Sequence, residues 1–490
     1  MRTLQGWKHW RALALSAVLF VAGLVSAAAP ARAGGEGEAR PLPEPARRLA
    51  ASAERLTADR PRNVIVMISD GMGYNHVAAA SLYVHGEAGR QVYEGFPFQF
   101  AMSTYSAGGD YNPQEAWADF DYVKHGYTDS AAAGTVLSTG VKTYNGAIGV
   151  GPDKEPLKHA MERAEELGKA TGVVTSVQLS HATPAGFAAH NASRNNYAEI
   201  AEEMIQRSML DVIMGCGHPF YTNDGAPTPD GDGDGMPDAR DYRYVGGEET
   251  WRALREGTAG SAVDADHNGL ADDAWTLIET REQFQAYGIG ATPKRLIGVP
   301  RVATTLQQRR GGDRNAEPFA VPFTETVPTL EEMTRAALNV LDEDPDGFVM
   351  MVEGGAVDWA SHSNQGGRMV EEQIDFNLAV NAVVEWIETE SDWSETLLIV
   401  TADHECGYLT RESHSEDDVP WAHEPLRVEG PGRMPGIQWN SGSHTNSLVP
   451  IYARGAGTEM LARYLTDFDP VRGPYLDNTA VGRVLFAVMP

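Results

Sequence analysis

The sequence predicts an α/β protein built on a buried, mostly parallel sheet. From Asn63 onward, short apolar runs alternate with segments of helical periodicity. Four of these runs are apolar over most of their length, which is typical of parallel strands covered on both faces. They span residues 64–68, 172–177, 348–352 and 397–400. A chain of 490 residues, 42% of them hydrophobic, is long enough to bury such a sheet.

Three helices are predicted around these strands. Residues 157–167 have helical spacing and stop before Gly168, a residue type that often ends helices. Thr329 and Glu332 form a capping box before an amphipathic helix that reaches residue 341. A long helical pattern covers residues 369–387.

The chain begins with the pattern of an export signal. Residues 1–33 combine a basic start, an apolar stretch and an Ala-x-Ala-like ending, which predicts a signal peptide. A membrane anchor is the alternative, but the apolar stretch is shorter than the roughly 20 residues that a span needs. We therefore expect an exported protein, periplasmic or extracellular, with no membrane span.

The rest of the chain is predicted to form one main domain after a tether. Residues 34–60 are the predicted tether and residues 61–490 the main domain. Within that domain, residues 220–275 have the composition of an acidic insertion, and residues 410–440 that of a surface insertion.

The charge balance excludes one class of partner. The chain has 39 Lys and Arg residues against 68 Asp and Glu, a net charge of −29. Because there is no excess of cations to neutralise phosphates, we expect no specific binding to nucleic acids. The acidity fits either a salt-adapted surface or the solubility charge of an exported protein.

The cysteine count excludes a disulfide-stapled scaffold and cysteine-rich zinc modules. Cys216 and Cys406 are the only two cysteines. In an oxidising compartment they can form one bridge, but Cys406 lies two residues after His404, where a packing role is the alternative.

Acidic and imidazole side chains follow each of the four predicted strands. They are Asp70 after the first strand, His181 and Thr183 after the second, Glu353, Asp358 and His362 after the third, and Asp403 and His404 after the fourth. Parallel strands bring their carboxyl ends to one edge of the sheet, where ligands bind. A single acid there would more often cap a helix or satisfy a turn, but the full set predicts one composite site.

The residue types in this set favour divalent cations. Carboxylates and imidazoles without a thiolate suit Zn²⁺ in catalytic sites, while the oxygens of Asp70, Thr183 and Glu353 suit Mg²⁺. The i, i+4 spacing of Asp358 and His362 places both side chains on one face of a helical turn. Two cations about 4 Å apart can clamp the attacking and leaving oxygens of a displacement at phosphorus.

A nucleophile for such a displacement is also available. Residues 128–133 predict a turn into a helix of small residues, with Ser130 at the helix N-terminus. Backbone N–H groups and the helix dipole favour an anion at that position. Ser130 can therefore serve as a helix cap, as a nucleophile, or as both.

Eight short motifs then occur in one particular order. They are DGMG (70–73), TDSAA (128–132), STGVKTYNG (138–146), ATPA (182–185), SRN (193–195), VEG (352–354), TADH (401–404) and HT (444–445). In these motifs and their order the chain resembles the alkaline phosphatases, from about Asn63 to the C-terminal helix. One such motif would be weak, whereas eight in order are highly specific.

The resemblance implies both a fold and a reaction. The fold is a three-layer α/β sandwich with a large, mostly parallel central sheet flanked by helices, and the family is usually a homodimer. The reaction is the hydrolysis of small-molecule phosphomonoesters through a phosphoserine, which places the nucleophile at Ser130. The family's phosphate-gripping arginine corresponds to Arg194, which Asp129 would orient.

The resemblance also implies three metal sites. Its zinc ligands correspond to two sets of three residues, Asp358, His362 and His444 for one ion, and Asp70, Asp403 and His404 for the other. Its third site corresponds to Asp70, Glu353 and Thr183, which would surround Mg²⁺ and its waters.

Two residues depart from one well-known version of the family pattern. His181 stands where many members have Asp, and Trp359 stands where some have Lys. A neutral His181 removes a carboxylate that would hold the waters of the third metal, and it can instead ligate the metal directly and favour zinc. Trp359 offers no cation to phosphate, so we expect weaker phosphate binding and faster product release.

The acidic insertion contains two loops that resemble extracellular calcium-binding repeats. The candidate ligands are Asp230, Asp232, Asp234, Asp238 and Asp241 in the first loop, and Asp264, Asp266, Asn268 and Asp272 in the second. The second loop has Trp275 where its twelfth-position ligand should be. An acidic, solvated loop is the alternative, and no clear helix flanks either loop. A structural Ca²⁺ is predicted at the first loop, with the second as the weaker candidate.

Two competing functions share parts of this sequence. The first alternative is a sibling metalloenzyme: a phosphodiesterase or nucleotide pyrophosphatase would share the bimetal core, and a sulfatase would need a modifiable cysteine in a C-x-P-x-R context, which the residues after Cys216 do not supply. Arg194, Glu353 and Thr183 favour monoesters, because they contact unesterified phosphate oxygens directly or through the third metal. The other alternative, a non-enzymatic calcium-binding surface protein, is disfavoured by candidate ligands at every zinc position.

Overall fold

Most of the strands belong to one large sheet. The computed structural model describes residue 47 and residues 60–239, 241–415 and 417–489, so the predicted signal peptide and nearly all of the predicted tether lie outside the described residues. The strands are β1 Asn63–Ser69, β2 Phe98–Ser103, β3 Ala170–Gln178, β4 Val212–Cys216, β5 Thr276–Ile278, β6 Leu296–Gly298, β7 Phe348–Gly354, β8 Thr396–Thr401, β9 Glu405–Cys406, β10 Leu409–Arg411, β11 Ile437–Trp439, β12 His444–Thr445, β13 Val449–Gly455, β14 Leu465–Asp469 and β15 Gly473–Asp477.

The four strands predicted from the sequence are neighbours in the middle of an eleven-stranded sheet. Its order is β14-β15-β2-β13-β8-β1-β7-β3-β4-β6-β5. The strands from β8 to β5 pair in parallel, and antiparallel pairing is confined to β13 and to the β14–β15 edge. Every residue of β1, β3, β7 and β8 is buried. The predicted parallel sheet with a core on both faces is therefore confirmed.

The helices pack in two groups, and each group contacts β3 and β7. The helices are α1 Tyr74–His85, α2 Pro113–Ala116, α3 Ser130–Thr139, α4 Ala160–Glu165, α5 Ala182–Ala188, α6 Tyr197–Gln206, α7 Glu248–Glu256, α8 Arg281–Tyr287, α9 Leu330–Leu341, α10 Ala356–His362, α11 Gly366–Thr389 and α12 Thr479–Val488. One group contains α1, α9 and α11, and the other α3, α4, α5 and α12. This arrangement is the predicted sandwich of a sheet between helical layers. No helix in the described part of the chain is long and apolar enough to cross a membrane.

Local sequence explains where two of the predicted helices begin. Thr329 Oγ1 accepts a hydrogen bond from the Glu332 N–H at 3.1 Å, and the Glu332 carboxylate accepts one from the Thr329 N–H at 3.0 Å, so the capping box before α9 is confirmed. Helix α4 is shorter than the predicted 157–167. His159 accepts from the Glu162 N–H at 3.2 Å and caps the helix, which delays its start until Ala160.

The two predicted insertions have different internal structure. In the segment 220–275, the first part is an exposed loop, but α7 follows it and buries Trp251 and Leu254 in the core. Residues 410–440 begin in β10 and end just after β11, and these two strands pair antiparallel in a separate two-stranded sheet.

Candidate active site

Parallel register brings the predicted site residues to one edge of the sheet. Ile68 of β1 is level with Glu353 of β7 and with Thr401 of β8. Asp70 lies two residues after Ile68, and Asp403 lies two residues after Thr401, so both aspartates lie just beyond the ends of their strands. Gly71 then turns with φ +76°, and a side chain there would meet the Asp358 backbone at 2.9 Å. Its N–H donates to Asp403 Oδ1 at 3.2 Å, so the turn locks two of the acids together.

One cluster contains the three residues of the first predicted zinc set. His362 Nε2 and His444 Nε2 lie 3.0 Å apart, and they lie 3.5 and 3.4 Å from Asp358 Oδ1. Tetrahedral zinc with bonds of about 2.0 Å needs ligand atoms about 3.3 Å apart. His362 Nδ1 donates to the Gly442 carbonyl and His444 Nδ1 to the Thr128 carbonyl, both at 2.9 Å. These bonds leave the two Nε2 atoms as the coordinating atoms.

The second predicted zinc set forms an adjoining, fully buried cluster. His404 Nε2 lies 3.5 Å from Asp70 Oδ1 and 3.2 Å from Asp403 Oδ2, which again matches the spacing of tetrahedral ligands. The rings of His404 and His444 stack at 3.6 Å and join the two clusters. His444 reaches this position because β12 pairs antiparallel with β9, opposite Cys406.

The third predicted site lies on the other side of Asp70. Ligand atoms of Asp70, His181 and Glu353 come within 4.8 Å of one another, so His181 is placed as a direct ligand candidate. Burial is the main cause that lowers the pKa of His181 to about 3, with the charge of Arg194 adding to it, which keeps this imidazole neutral and able to coordinate. Thr183 is the second residue of α5, the helix that follows His181, and its side chain is buried.

The residues of these clusters fit divalent cations. Among the described residues, the buried side-chain atoms without a hydrogen-bond partner include Asp70 Oδ1 and Oδ2, His181 Nδ1, Thr183 Oγ1, Glu353 Oε1, Asp358 Oδ1 and Asp403 Oδ2. Burial, with the neighbouring carboxylates adding to it, raises the pKa of Asp70 well above its usual range. Burial likewise raises the pKa of Glu353 to about 7 and of Asp403 to about 6. Carboxylates crowded out of water in this way are stabilised by bound cations.

The predicted nucleophile faces the clusters. Ser130 is the first residue of α3, and Asp129, rather than Ser130, is the helix cap, accepting from the Ala132 N–H at 2.9 Å. Ser130 Oγ is therefore free of the capping role and lies 3.2 Å from His404 Nε2. Asp129 also binds Arg194 at 3.0 Å, and Arg194 Nη2 lies 3.3 Å from His181 Nε2. The Asp129 carboxylate thus caps α3 and also fixes the position of Arg194.

Arg309 lies near the site but belongs to none of the sequence motifs. The guanidinium of Arg309 lies over the ring of Trp359 at 4.6 Å, and both line the same cavity of about 290 Å³ as Ser130. A cation is therefore present beside position 359, supplied by another part of the chain. Cys406 lies against the first cluster, but burial raises the pKa of its thiol, which disfavours the coordinating thiolate. Cys406 and Cys216 are both free, so the bridge considered above is not formed.

The acidic loops differ from the buried clusters. Ligand atoms of Asp230, Asp232 and Asp234 do lie within 4.8 Å of one another, but all three residues are exposed. Asp241, the predicted twelfth-position ligand, is engaged by Arg243 instead. In the second loop, Asp266 pairs with Lys294. The first loop therefore brings three of its five predicted ligands together.

The remaining candidate ligands of the two loops bind backbone N–H groups nearby. Asp238 Oδ2 accepts from the Gly231 N–H at 2.8 Å. Asp264 Oδ2 accepts from the Gly269 N–H at 2.9 Å, and Asn268 Oδ1 from the Leu270 N–H at 2.8 Å. Asp272 is exposed. These hydrogen bonds shape the loops and do not by themselves indicate a cation.

The sheet and the edge cluster define an enzyme of the α/β class that gathers metal ligands and a nucleophile at the carboxyl ends of its strands. Residues 61–430 match the family model described as alkaline phosphatase. Alkaline phosphatase 4 of Bacillus subtilis is 32% identical over 386 residues, which are 77% of this chain and 68% of that protein. The alkaline phosphatase of Escherichia coli K12 is 29% identical over 437 residues, 81% and 82% of the two chains. The chain belongs to the alkaline phosphatase family and is a phosphomonoesterase.

Solved structures show the same fold. The alkaline phosphatase of the Antarctic bacterium TAB5 aligns with a TM-score of 0.59 at 23% identity, over 88% of this chain and 99% of that one. The alkaline phosphatase of Thermus thermophilus aligns with a TM-score of 0.59 at 22% identity, over 91% and 95%. At such identities the likeness establishes the architecture only, and the roles of individual residues depend on the geometry described above.

Proposed function

We propose that this enzyme hydrolyses phosphomonoesters through a covalent phosphoserine at Ser130, with two zinc ions and a third, magnesium site. The observation that carries the proposal is the position of Ser130 Oγ, 3.2 Å from His404 Nε2 at the junction of two ligand clusters. Asp358, His362 and His444 would hold one zinc, and Asp70, Asp403 and His404 the other. When bound, the cations supply the positive charge that stabilises the phosphoryl group as its bonds to oxygen change.

The protein's own residues position the reacting groups. Ser130 Oγ forms a bond to phosphorus while the bond to the alcohol oxygen breaks, and water then cleaves the phosphoserine to release phosphate. Arg194 grips two phosphoryl oxygens with its planar fork. Asp129 orients Arg194 and caps α3, and the dipole at the N-terminus of that helix favours the phosphoryl anion at Ser130. Positioning and charge are what phosphoryl transfer mainly requires.

For the third site we propose Asp70, Glu353 and Thr183 around Mg²⁺, with His181 as an added ligand that can favour zinc instead. The close approach of Asp70, His181 and Glu353 supports this assignment. A substituted variant of the TAB5 enzyme was solved with Mg bound in its M3 site. If His181 and Trp359 set metal choice and phosphate release, the double variant H181D/W359K should show stronger magnesium dependence and stronger inhibition by phosphate. Unchanged values would contradict this assignment.

The test of the main proposal is phosphate release from an aryl phosphomonoester and its matching diester. The enzyme is assayed as prepared, after chelation, and after Zn²⁺ and Mg²⁺ are restored, with Ser130→Ala as the variant. We expect monoester activity that chelation abolishes and both metals recover, and a phosphoenzyme trapped by acid quench in the wild type alone. A preference for the diester, or a trapped phosphoenzyme in the Ser130 variant, would overturn the assignment.

Three further properties belong to the proposal. Calcium at the 230–241 loop is supported by the convergence of Asp230, Asp232 and Asp234, with the 264–272 loop as the weaker candidate. Export to the periplasm or the exterior is supported by the pattern of residues 1–33. A homodimer is proposed from family membership, and sedimentation of the mature enzyme tests it.

A further inference from the structure

Arg309 is a cation on the wall of the active-site cavity. The cavity of about 290 Å³ is lined by Ser130, Arg194, Trp359, Arg309 and His362, among others. The guanidinium stacks over the indole of Trp359 at 4.6 Å, which fixes its plane while leaving its N–H groups available. In the described part of the chain, no carboxylate lies within ion-pair distance of this guanidinium.

Its lack of a partner distinguishes Arg309 from the other arginines near the site. Arg194 pairs with Asp129 at 3.0 Å, and the neighbouring Arg310 pairs with Glu371 at 2.9 Å. Burial, with the charge of the nearby Arg314 adding to it, lowers the pKa of the Arg309 guanidinium. A cation without a carboxylate partner on the wall of a cavity attracts an anionic ligand.

The position of Arg309 separates it from the group that is transferred. The His181 ring contacts Arg194 and packs against Trp359, with ring centroids 5.7 Å apart. Arg309 in turn lies over the indole of Trp359. Arg194 and Arg309 thus contact different residues of the cavity wall, so a phosphoryl group held by Arg194 beside Ser130 would leave Arg309 available to the rest of the substrate, which becomes the leaving alcohol.

We propose that Arg309, held on Trp359, binds a second anionic group carried by the leaving alcohol, and that it selects phosphomonoesters bearing a further phosphate or carboxylate. This inference rests on the proposed function of Ser130 and Arg194.

The test compares esters that differ only in the distal charge. The substrates are an ω-hydroxyalkyl phosphate, the ω-carboxyalkyl phosphate and the alkanediol bisphosphate, each at low and high salt. We expect the wild type to prefer the charged esters in kcat/KM by about three- to fivefold, an effect of the size of a half-exposed ion pair. Arg309→Gln should bring the charged-to-neutral ratio close to one, Arg309→Lys should keep part of it, and salt should reduce it.

A matched control and a binding measurement complete the design. Arg314→Gln removes an exposed arginine of the same loop that does not line the cavity, and it should keep most of the preference. Calorimetry of an ω-carboxyalkyl phosphonate against the plain alkyl phosphonate reports the same discrimination without turnover. A ratio unchanged in Arg309→Gln, or an equal fall for all esters, overturns the proposal. Failure of the proposed function has a separate signature, since the metal-loaded wild type would then hydrolyse none of the esters.

Discussion

The buried sheet edge and the exposed 230–241 loop use the same side chain in opposite electrostatic environments. Asp70 is fully buried, and desolvation and the charge of Asp403 raise the pKa of its carboxyl. Asp230 is exposed, and hydrogen bonds from the Gly235 and Gly233 N–H groups lower the pKa of its carboxyl. The first carboxylate is destabilised without a cation, whereas the second is already stabilised by water and backbone. The spacing of acidic residues in the sequence therefore does not by itself predict whether their carboxylates require a bound metal ion.

The largest expected difference between the two regions is in activity. Asp403→Ala removes a buried ligand between Gly71 and His404, and we expect kcat/KM for an aryl phosphate to fall about 1000-fold or more. Asp230→Ala makes the same change in the exposed loop, and we expect kcat/KM to stay within about twofold of the wild type. Circular dichroism of both variants controls for folding. Activity of the Asp403 variant within tenfold of the wild type would contradict the assigned site.

The second expected difference is in the pH dependence of stability after metal removal. Folded-state pKa values of about 7 for Glu353 and about 6 for Asp403 lie above their unfolded values near 4. These two carboxyls then bind more protons in the folded apoprotein than in the unfolded chain, so their contribution to stability falls as pH rises from about 4 to about 7, at roughly 1.4 kcal/mol per unit of pKa shift. Denaturant unfolding with and without Zn²⁺ measures this, and metal should flatten the profile. If the stability of the apoprotein were constant over this range, the raised pKa values of Glu353 and Asp403 would be contradicted.

A smaller effect is expected at the edge of the buried site. Asp129→Asn weakens the 3.0 Å contact with Arg194 while keeping an oxygen for the helix cap. We expect KM and the inhibition constant for inorganic phosphate to rise about 10-fold, because the arginine is no longer held in position. Asp121→Asn, at an exposed pair with Lys124, is the matched control and should change neither constant. Equal effects of the two substitutions would contradict the proposal that Asp129 holds Arg194 in position.

The smallest effect is expected from calcium at the exposed loop. With Zn²⁺ and Mg²⁺ kept saturating, removal of Ca²⁺ should lower Tm by about 2–4 °C and leave kcat unchanged. Asp230→Asn should abolish that shift, while Asp272→Asn in the second loop should preserve it. Differential scanning calorimetry with and without added Ca²⁺ makes the measurement. A Tm that does not respond to Ca²⁺ in the wild type would identify the loop as a solvated acidic surface.

Much of the fold and part of the site could be predicted from local patterns. Apolar runs gave the four central strands, because strands buried on both faces consist mostly of apolar residues. The end of each strand then located Asp70, Glu353 and Asp403, and helical spacing placed Asp358 beside His362. The exact cap of α3 was not predictable, because Asp129 and Ser130 are both good caps, and only the hydrogen bond that Asp129 accepts from the Ala132 N–H distinguishes them.

The sequence by itself determined the strands, the polar residues at their ends and, through the eight motifs, the family. Tertiary structure alone decided three other things: that Ser130 Oγ comes within 3.2 Å of His404 across 274 positions, that both cysteines stay free, and that Arg309 covers Trp359. The physical reason is the distance along the chain over which each kind of interaction acts. Backbone periodicity and capping act over a few residues and leave a pattern in the sequence, whereas contacts between distant segments depend on how whole layers pack, and a lone arginine in a loop carries no periodic signal.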